Sequence, residues 1–342
     1  MSEESNSLKD QTFDVVLLGT SLTNCILSGL LSVEGKKVLH LDKNNYYGGN
    51  SASLPLGEFI KLNNSVNTPV TQDPNLGKDR DWNIDLIPKL MMSNGKLVRM
   101  LMHTKVNDYM QFRQIQGSYV LRDGKINKVP VTAMEALNSS LMGFFEKRRA
   151  KKFFEFVEAV KEKEQSTWQG LHIFQMNVKL MFDYFGLEPG TRDFIGHALA
   201  LYLDEHYVTL PAWDCIERIQ LYTSSLLRFG KSPYVYPLYG LGELPQSFAR
   251  RSATYGGLFM LDTPVTVNFD ANNAVESVKT KEGIVQCKTV IADPTYFESK
   301  VQANNKVVRA ICFLNHVIPD TDNSDSVQII LPQNQVNRKN DM

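Results

Sequence analysis

The chain opens with a strand, a glycine turn, a helix and a second strand, and that order constrains its fold more than anything that follows. Phe13 to Leu18 is a short apolar run ending at Gly19, the pattern of a buried parallel strand. From Leu22 to Val33 the apolar positions Leu22, Cys25, Ile26, Leu30 and Val33 recur at helical spacing, and Gly35 stops the helix. Val38 to Leu41 predicts a second buried strand, closed by Asp42. These pieces lie within about 30 residues and make a βαβ unit, parallel and right-handed by the sterics of twisted strands. The fold class is therefore α/β.

A dinucleotide-binding turn at this point needs the pattern GxGxxG. The first glycine makes the turn, the second lets a pyrophosphate approach the backbone, and the third lets the helix pack on the strand. The residues here are Gly19, Thr20, Ser21, Leu22, Thr23 and Asn24, so the second and third glycines are missing. Ser21 puts a Cβ and a hydroxyl where phosphate belongs, and Asn24 is expected to crowd the helix against the sheet. Asp42 stands about where a ribose-binding acid belongs, roughly 20 residues after the first glycine. The frame is that of a nucleotide-binding unit used for its shape, with no bound flavin or nicotinamide. Gly19 to Thr23 is one residue short of a GxSxG elbow and lacks an HGGG-type segment. No GxxxxGK[ST] or HExxH occurs, and the six histidines have no metal-ligand spacing.

Downstream, Leu137 to Val160 turns helical, with Leu137, Leu141, Phe144 and Phe145 on one face and Phe153, Phe156, Val157 and Val160 continuing it. Val178–Phe185 and Phe194–Tyr202 read as further helices. Strand patterns return at Leu258–Met260, Val265–Phe269, Thr289–Ile291, Val307–Leu314 and Val327–Ile330, while Thr71–Lys78 and Thr321–Ser326 read as loops. Helices thus look inserted between two α/β segments. A chain of 342 residues has room for two domains.

Charge narrows the partners. Thirty-seven basic and 37 acidic side chains cancel, so no overall field steers the chain toward nucleic acid, and an anionic surface would need a local patch. No signal peptide is evident, and no apolar stretch of about 18 residues is available to span a bilayer. Cys25, Cys215, Cys287 and Cys312 lack CxxC spacing and read as free thiols. The implied setting is cytoplasmic.

Several longer motifs narrow the class. Asp42-Lys43-Asn44-Asn45-Tyr46-Tyr47-Gly48-Gly49 has the acid, spacer and glycine pair of the flavin amine oxidase and phytoene desaturase branch. Arg80-Asp81-Trp82-Asn83-Ile84-Asp85-Leu86-Ile87-Pro88-Lys89 and Tyr236-Pro237-Leu238-Tyr239-Gly240-Leu241-Gly242-Glu243-Leu244-Pro245-Gln246 closely resemble Rab GDP-dissociation inhibitors. So do Leu141-Met142-Gly143 through Lys147-Arg148-Arg149 and Gln333-Asn334-Gln335-Val336-Asn337-Arg338-Lys339. The resemblance runs from Phe13 onward. Rab escort proteins share the branch, but Leu241 in its glycine-rich stretch is more similar to the inhibitors. The family usually keeps the second loop glycine where this chain has Ser21.

The resemblance implies a flavoprotein-like sheet domain, residues 1–126 and 223–342, with an inserted all-helical domain over 127–222. It implies a non-enzymatic protein without flavin. Such a protein binds GDP-bound, prenylated Rab GTPases, slows GDP release, extracts Rabs from membranes through transient contact and carries them in cytosol for vesicle trafficking. The alternatives are a flavin-dependent oxidoreductase of the amine-oxidase type and a Rab escort protein.

The resemblance also assigns residues. The Rab-binding platform falls on Tyr47, Glu243, Arg250 and Met260, types suited to hot spots. Glu243 and Arg250, two turns apart, fit a solvated helix face as well. The family's mobile membrane-extraction loop falls on Arg228, Ser232 and Tyr234, where Gly230 and Pro233 suit a loop; a plain connector is the other reading. The inserted helices hold the geranylgeranyl group, and burying half of it gains on the order of 8 kcal/mol at about 0.8 per CH₂. Phe144, Phe145, Phe153, Phe156 and Phe185 suit such a pocket or an ordinary core. The family's chains continue beyond the equivalent of Met342, so the expectation here is a form truncated at its C-terminal part, less stable and more prone to aggregate than a longer relative.

Overall fold

In the computed structural model, described for residues 8, 11–63, 74–132, 135 and 143–342, the opening βαβ unit forms where the sequence places it. β1 (Thr12–Leu18) leads through Gly19 into α1 (Leu22–Val33), and β2 (Val38–Leu41) returns parallel to β1, with Val15 opposite Val38 and Leu18 opposite Leu41. Further along come the hairpin of β3 (Gly117–Arg122) and β4 (Lys125–Lys128), then the helices α2 (Phe144–Ala159), α3 (Val178–Tyr184) and α4 (Ala212–Phe229). Next are α5 (Glu243–Ala253), β5 (Leu258–Met260), β6 (Thr266–Phe269), β7 (Val275–Thr280), β8 (Gly283–Ala292) and β9 (Val327–Ile330).

The chain divides into two compact units. The first comprises Met1–Lys89, Leu101–Phe112 and Tyr236–Ala310. Its sheet has the order β5-β2-β1-β8-β7-β6, with the first four strands parallel and the last two antiparallel. The apolar runs of β1 and β2 form its core with Val278 and Val285. α1 packs on α5 through small residues. The Ser28 and Ser32 hydroxyls lie 3.0 and 2.8 Å from that of Ser252, and a Cβ at Gly29 would already touch the Phe248 carbonyl. Side chains this short let the two helix backbones approach closely, which fixes where α5 presents its outer face.

The second unit comprises Leu90–Met100, Arg113–Val235 and Ile311–Met342. Its three-stranded sheet runs β9-β3-β4, β9 parallel and β4 antiparallel to β3. Its core gathers Phe153 and Phe156 of α2, Phe182 of α3, and Ile216 and Ile219 of α4. The Phe153 ring stands edge-on to those of Phe182 and Phe185, with centroids 5.6 and 5.4 Å apart, a favourable aromatic geometry.

Several details differ from the sequence reading. The helical stretch 127–222 lies inside the second unit but does not bound it. α4 runs unbroken through residue 222, and β9 pairs with β3, so 113–126, 223–235 and 311–342 join the same unit. Val307–Leu314 forms no strand: the segment is neither helix nor strand among the described residues, with Val307 and Val308 78% and 97% exposed. An apolar β-branched run forms a strand only where a ladder receives it. Phe194–Leu199 is a π-helix, and Leu137 and Leu141 lie outside the described residues, as does 71–73 of the first expected loop. All four cysteines are free, Cys312 exposed and the others buried. Among the described residues no His, Cys, Asp or Glu group is arranged for a metal, and no helix is long and apolar enough to cross a membrane.

Candidate functional site

The turn after β1 decides what this fold can hold. Gly19 has φ +90°, the left-handed region, and a Cβ there would collide with the Asp293 carboxylate. That carboxylate comes from the end of β8, where the Asp293 N–H donates to the Leu18 carbonyl at 2.8 Å. Its Oδ1 accepts the Ser21 hydroxyl at 2.5 Å and its Oδ2 accepts the Ser21 N–H at 3.4 Å. A carboxylate of the chain itself therefore faces the N-terminus of α1, the place a dinucleotide phosphate takes in this fold. Burial raises the Asp293 carboxyl above its usual range, opposed by its bonds from Ser21.

The ribose acid is engaged as well. Asp42 Oδ2 accepts the Thr20 N–H at 2.7 Å and the Thr20 hydroxyl at 2.5 Å, while Oδ1 accepts the Asn44 N–H at 2.9 Å and its side-chain amide at 3.0 Å. Contrary to the expectation from sequence, Asn24 does not crowd the helix. Its amide donates to the Leu18 and Gly19 carbonyls at 3.0 and 2.9 Å, tying the strand end to the first turn of α1. A flavin or nicotinamide dinucleotide does not fit these residues: its phosphates would meet Asp293 and its ribose would find Asp42 taken.

The same bonds shape the next loop. The Gly48 N–H donates to the Thr20 hydroxyl at 3.1 Å. Gly48 has φ +99°, and a Cβ would press on Ala52, so glycine is needed at this bend. Beside it Tyr47, half-buried, sets its ring 6.3 Å from that of Phe259. Burial raises the Tyr47 hydroxyl pKa.

Tyr47 borders a cavity of about 500 Å³ in the first unit, also lined by Tyr109, Glu243, Gln246, Arg250 and Phe259. Glu243 and Arg250 sit two turns apart on α5 and reach the cavity from one side, as their spacing requires. The Arg250 guanidinium lies over the Tyr109 ring, 4.7 Å from its centroid. Glu243 caps the turn before α5 by accepting the Tyr239 N–H at 3.2 Å, and burial raises its carboxyl above the usual range. The result is an open pocket with one carboxylate, one stacked guanidinium and three aromatic rings, a surface made for binding. Met260 is not part of its lining. It packs partly buried against the core beneath, and its carbonyl accepts the Asp42 N–H at 2.9 Å. Tyr109, Gln246 and Phe259 were not anticipated. Gln246 shares the helical spacing of Glu243 and Arg250, which was the available signal, whereas Tyr109 comes from a distant segment that no local pattern ties to α5.

Comparison with known proteins decides the family. The family model described as GDP dissociation inhibitor matches residues 9–342. The chain belongs to the GDP dissociation inhibitor family. It is 54% identical over 335 residues to the probable secretory pathway GDP dissociation inhibitor 1 of Schizosaccharomyces pombe, covering 97% of this chain and 75% of that one. It is 51% identical over 337 residues to the Rab GDP-dissociation inhibitor of Saccharomyces cerevisiae, with the same coverages. The crystal structure of the Rab GDI from Plasmodium falciparum superposes with a TM-score of 0.86 at 42% identity, covering 97% of this chain and 77% of that one. An oxidoreductase from Methanosarcina mazei superposes with a TM-score of 0.52 at 12% identity, covering 84% of this chain and 62% of that one, a likeness of fold alone. The flavoprotein-like architecture is therefore present in this family member alongside a loop that closes on its own side chains.

The second unit holds the remaining sequence candidates. Arg228 lies on the last turn of α4, and its guanidinium donates to the Ser93 carbonyl. Ser232 is buried with its hydroxyl on the Ile115 carbonyl at 2.6 Å, and Tyr234 is buried in a strand, Tyr234–Pro237, that pairs with Met91–Met92. These residues anchor the stretch; its exposed part is Leu227 to Lys231. Of the five phenylalanines, Phe153 and Phe156 are core, Phe185 packs against that core, and Phe144 and Phe145 are exposed. A cavity of about 640 Å³ elsewhere in this unit is lined by Met92, Leu199, Leu201 and Leu221 together with Lys96, Arg99 and Arg218.

Proposed function

We propose that this GDP dissociation inhibitor family member binds GDP-loaded, prenylated Rab GTPases, slows their release of GDP, and carries them between membranes through the cytoplasm. It acts by binding and performs no covalent step. The observation that carries this reading is the cavity where Tyr47, Tyr109, Glu243 and Arg250 converge, in a chain about half identical to proteins named for Rab and GDP dissociation. A guanidinium held over a tyrosine ring and a carboxylate on the same helix offer a charged and aromatic surface to a partner protein. The geranylgeranyl group belongs to the second unit in this reading, where the apolar side of the cavity at Leu199, Leu201 and Leu221 can take hydrocarbon and Lys96 and Arg99 border it.

The test is the rate at which a Rab preloaded with fluorescent GDP releases its nucleotide. Added protein is expected to slow release in a saturable manner, and Arg250→Ala to need a higher concentration for the same effect. Release unaffected by the intact protein would reject the reading.

A further inference from the structure

The motif ending in Lys147-Arg148-Arg149 is only partly explained by the fold. Arg149 is structural: its Nε donates to Glu146 at 2.8 Å, and Glu146, itself buried, accepts the Glu188 N–H at 2.8 Å. This pins the first turn of α2 into the second unit. On the same inward side Ala150, Phe153, Phe156 and Val157 enter the core. At about 100° per residue, Phe144, Phe145, Arg148, Lys151, Lys152 and Glu155 fall within one arc on the opposite side, and all six are exposed. Phe144 and Phe145 are 83% and 76% exposed, their rings edge-on at 5.7 Å. The three cations follow one and two turns later, and the acids, Glu155 within the arc at 3.7 Å from Lys151 and exposed Glu158 at its border, stand farther along.

We propose that this outer face of α2 docks on anionic lipid, with Phe144 and Phe145 entering the headgroup boundary and Arg148, Lys151 and Lys152 lying against the headgroups. Charge complementarity selects the partner. Adjacent aromatics beside a basic cluster on a helix held parallel to a surface is the arrangement that binds bilayers from one side. The chain is neutral overall, so attraction to such a surface must come from a local patch, and this face supplies one. The anchored inner face keeps the rings outward without any rearrangement. The inference does not depend on the GTPase reading, because the chain alone should show it.

The experiment is co-sedimentation of the purified protein with phosphatidylcholine vesicles, with and without phosphatidylserine. Sedimentation is expected only with phosphatidylserine, and is expected to fall with added salt. Arg148→Glu with Lys152→Glu should weaken it about tenfold or more, as should Phe144→Ser with Phe145→Ser, while solution binding of a GDP-loaded Rab stays unchanged. A Phe145→Trp variant gives a second readout, a blue-shifted emission quenched by brominated lipid. Equal sedimentation with neutral and anionic vesicles, or a charge-reversed variant matching the parent, overturns the proposal. A parallel loss of Rab binding would overturn it too, by assigning the face to the GTPase.

Discussion

The Asp42 carboxylate takes both donors of Thr20, the backbone N–H at 2.7 Å and the hydroxyl at 2.5 Å. In a dinucleotide-binding fold this acid would reach for a ribose. Here it steadies the turn after β1, and Thr20 passes the constraint on by accepting the Gly48 N–H beside Tyr47. Thr20→Val removes the hydroxyl at both points and should cost about 1–2 kcal/mol of stability. With the Tyr47 turn loosened, affinity for a GDP-loaded Rab should fall severalfold, and Thr20→Ser should restore it. Calorimetric titration of the two variants checks this; unchanged affinity for Thr20→Val would mean that Tyr47 is held by other contacts.

The Arg250 guanidinium lies over the Tyr109 ring, 4.7 Å from its centroid. Tyr109→Ala should therefore weaken partner binding through a mobile Arg250, by up to about 1 kcal/mol, the size of an exposed cation–π contact. A double-mutant cycle of Tyr109→Ala with Arg250→Ala should show coupling; strictly additive losses would separate the two residues.

His197 predicts a pH dependence. Burial lowers its pKa, but hydrogen bonds and charge from Asp341 at 2.7 Å and Glu205 at 3.1 Å outweigh that, raising it from 6.5 to about 9. The Tyr202 carbonyl, the Tyr207 ring and Asp193 also face it. A histidine whose folded pKa is raised stabilises fully below its ordinary 6.5 and loses that contribution as pH climbs through about 9. Thermal unfolding across this window should show a falling midpoint that flattens in His197→Gln. An equal slope in both proteins would place the titration elsewhere.

The phenylalanines of α2 should divide by face. Phe153→Ala empties a fully buried site and should cost about 3–5 kcal/mol. Phe144→Ala removes an exposed ring and should stay within about 0.5 kcal/mol. Denaturant unfolding of the two variants measures both.

These contrasts mark where the sequence was legible. The βαβ opening was readable to the residue at α1, because a buried parallel strand and an amphipathic helix carry their periods in the chain itself. The lost loop glycines were readable too, but what filled the loop was not: Asp293 arrives from β8, the far side of the sheet in sequence, and nothing near Gly19 announces it. Glu243 and Arg250 meet because one helix carries both, whereas Tyr109 meets them only through tertiary packing. Ser232 and Tyr234 looked like loop residues beside Gly230 and Pro233; Ser232 does lie in the connector but is buried with its hydroxyl on the Ile115 carbonyl, and Tyr234 is buried in the strand that pairs with Met91–Met92. Phe144 and Phe145 continued an apolar helical pattern, but their place on the arc opposite Phe153 leaves them in solvent.

In the function proposed, the pocket of Tyr47, Glu243 and Arg250 recognises a Rab GTPase in its GDP state. The most direct test is the affinity of the intact chain for one prenylated Rab loaded in turn with GDP and with a non-hydrolysable GTP analogue, repeated with Arg250→Ala. The GDP form is expected to bind tightly, the GTP form much more weakly, and Arg250→Ala to lose more than about 1 kcal/mol on the GDP form. Equal affinity for both nucleotide states, or an Arg250→Ala variant that binds like the parent, would contradict that function.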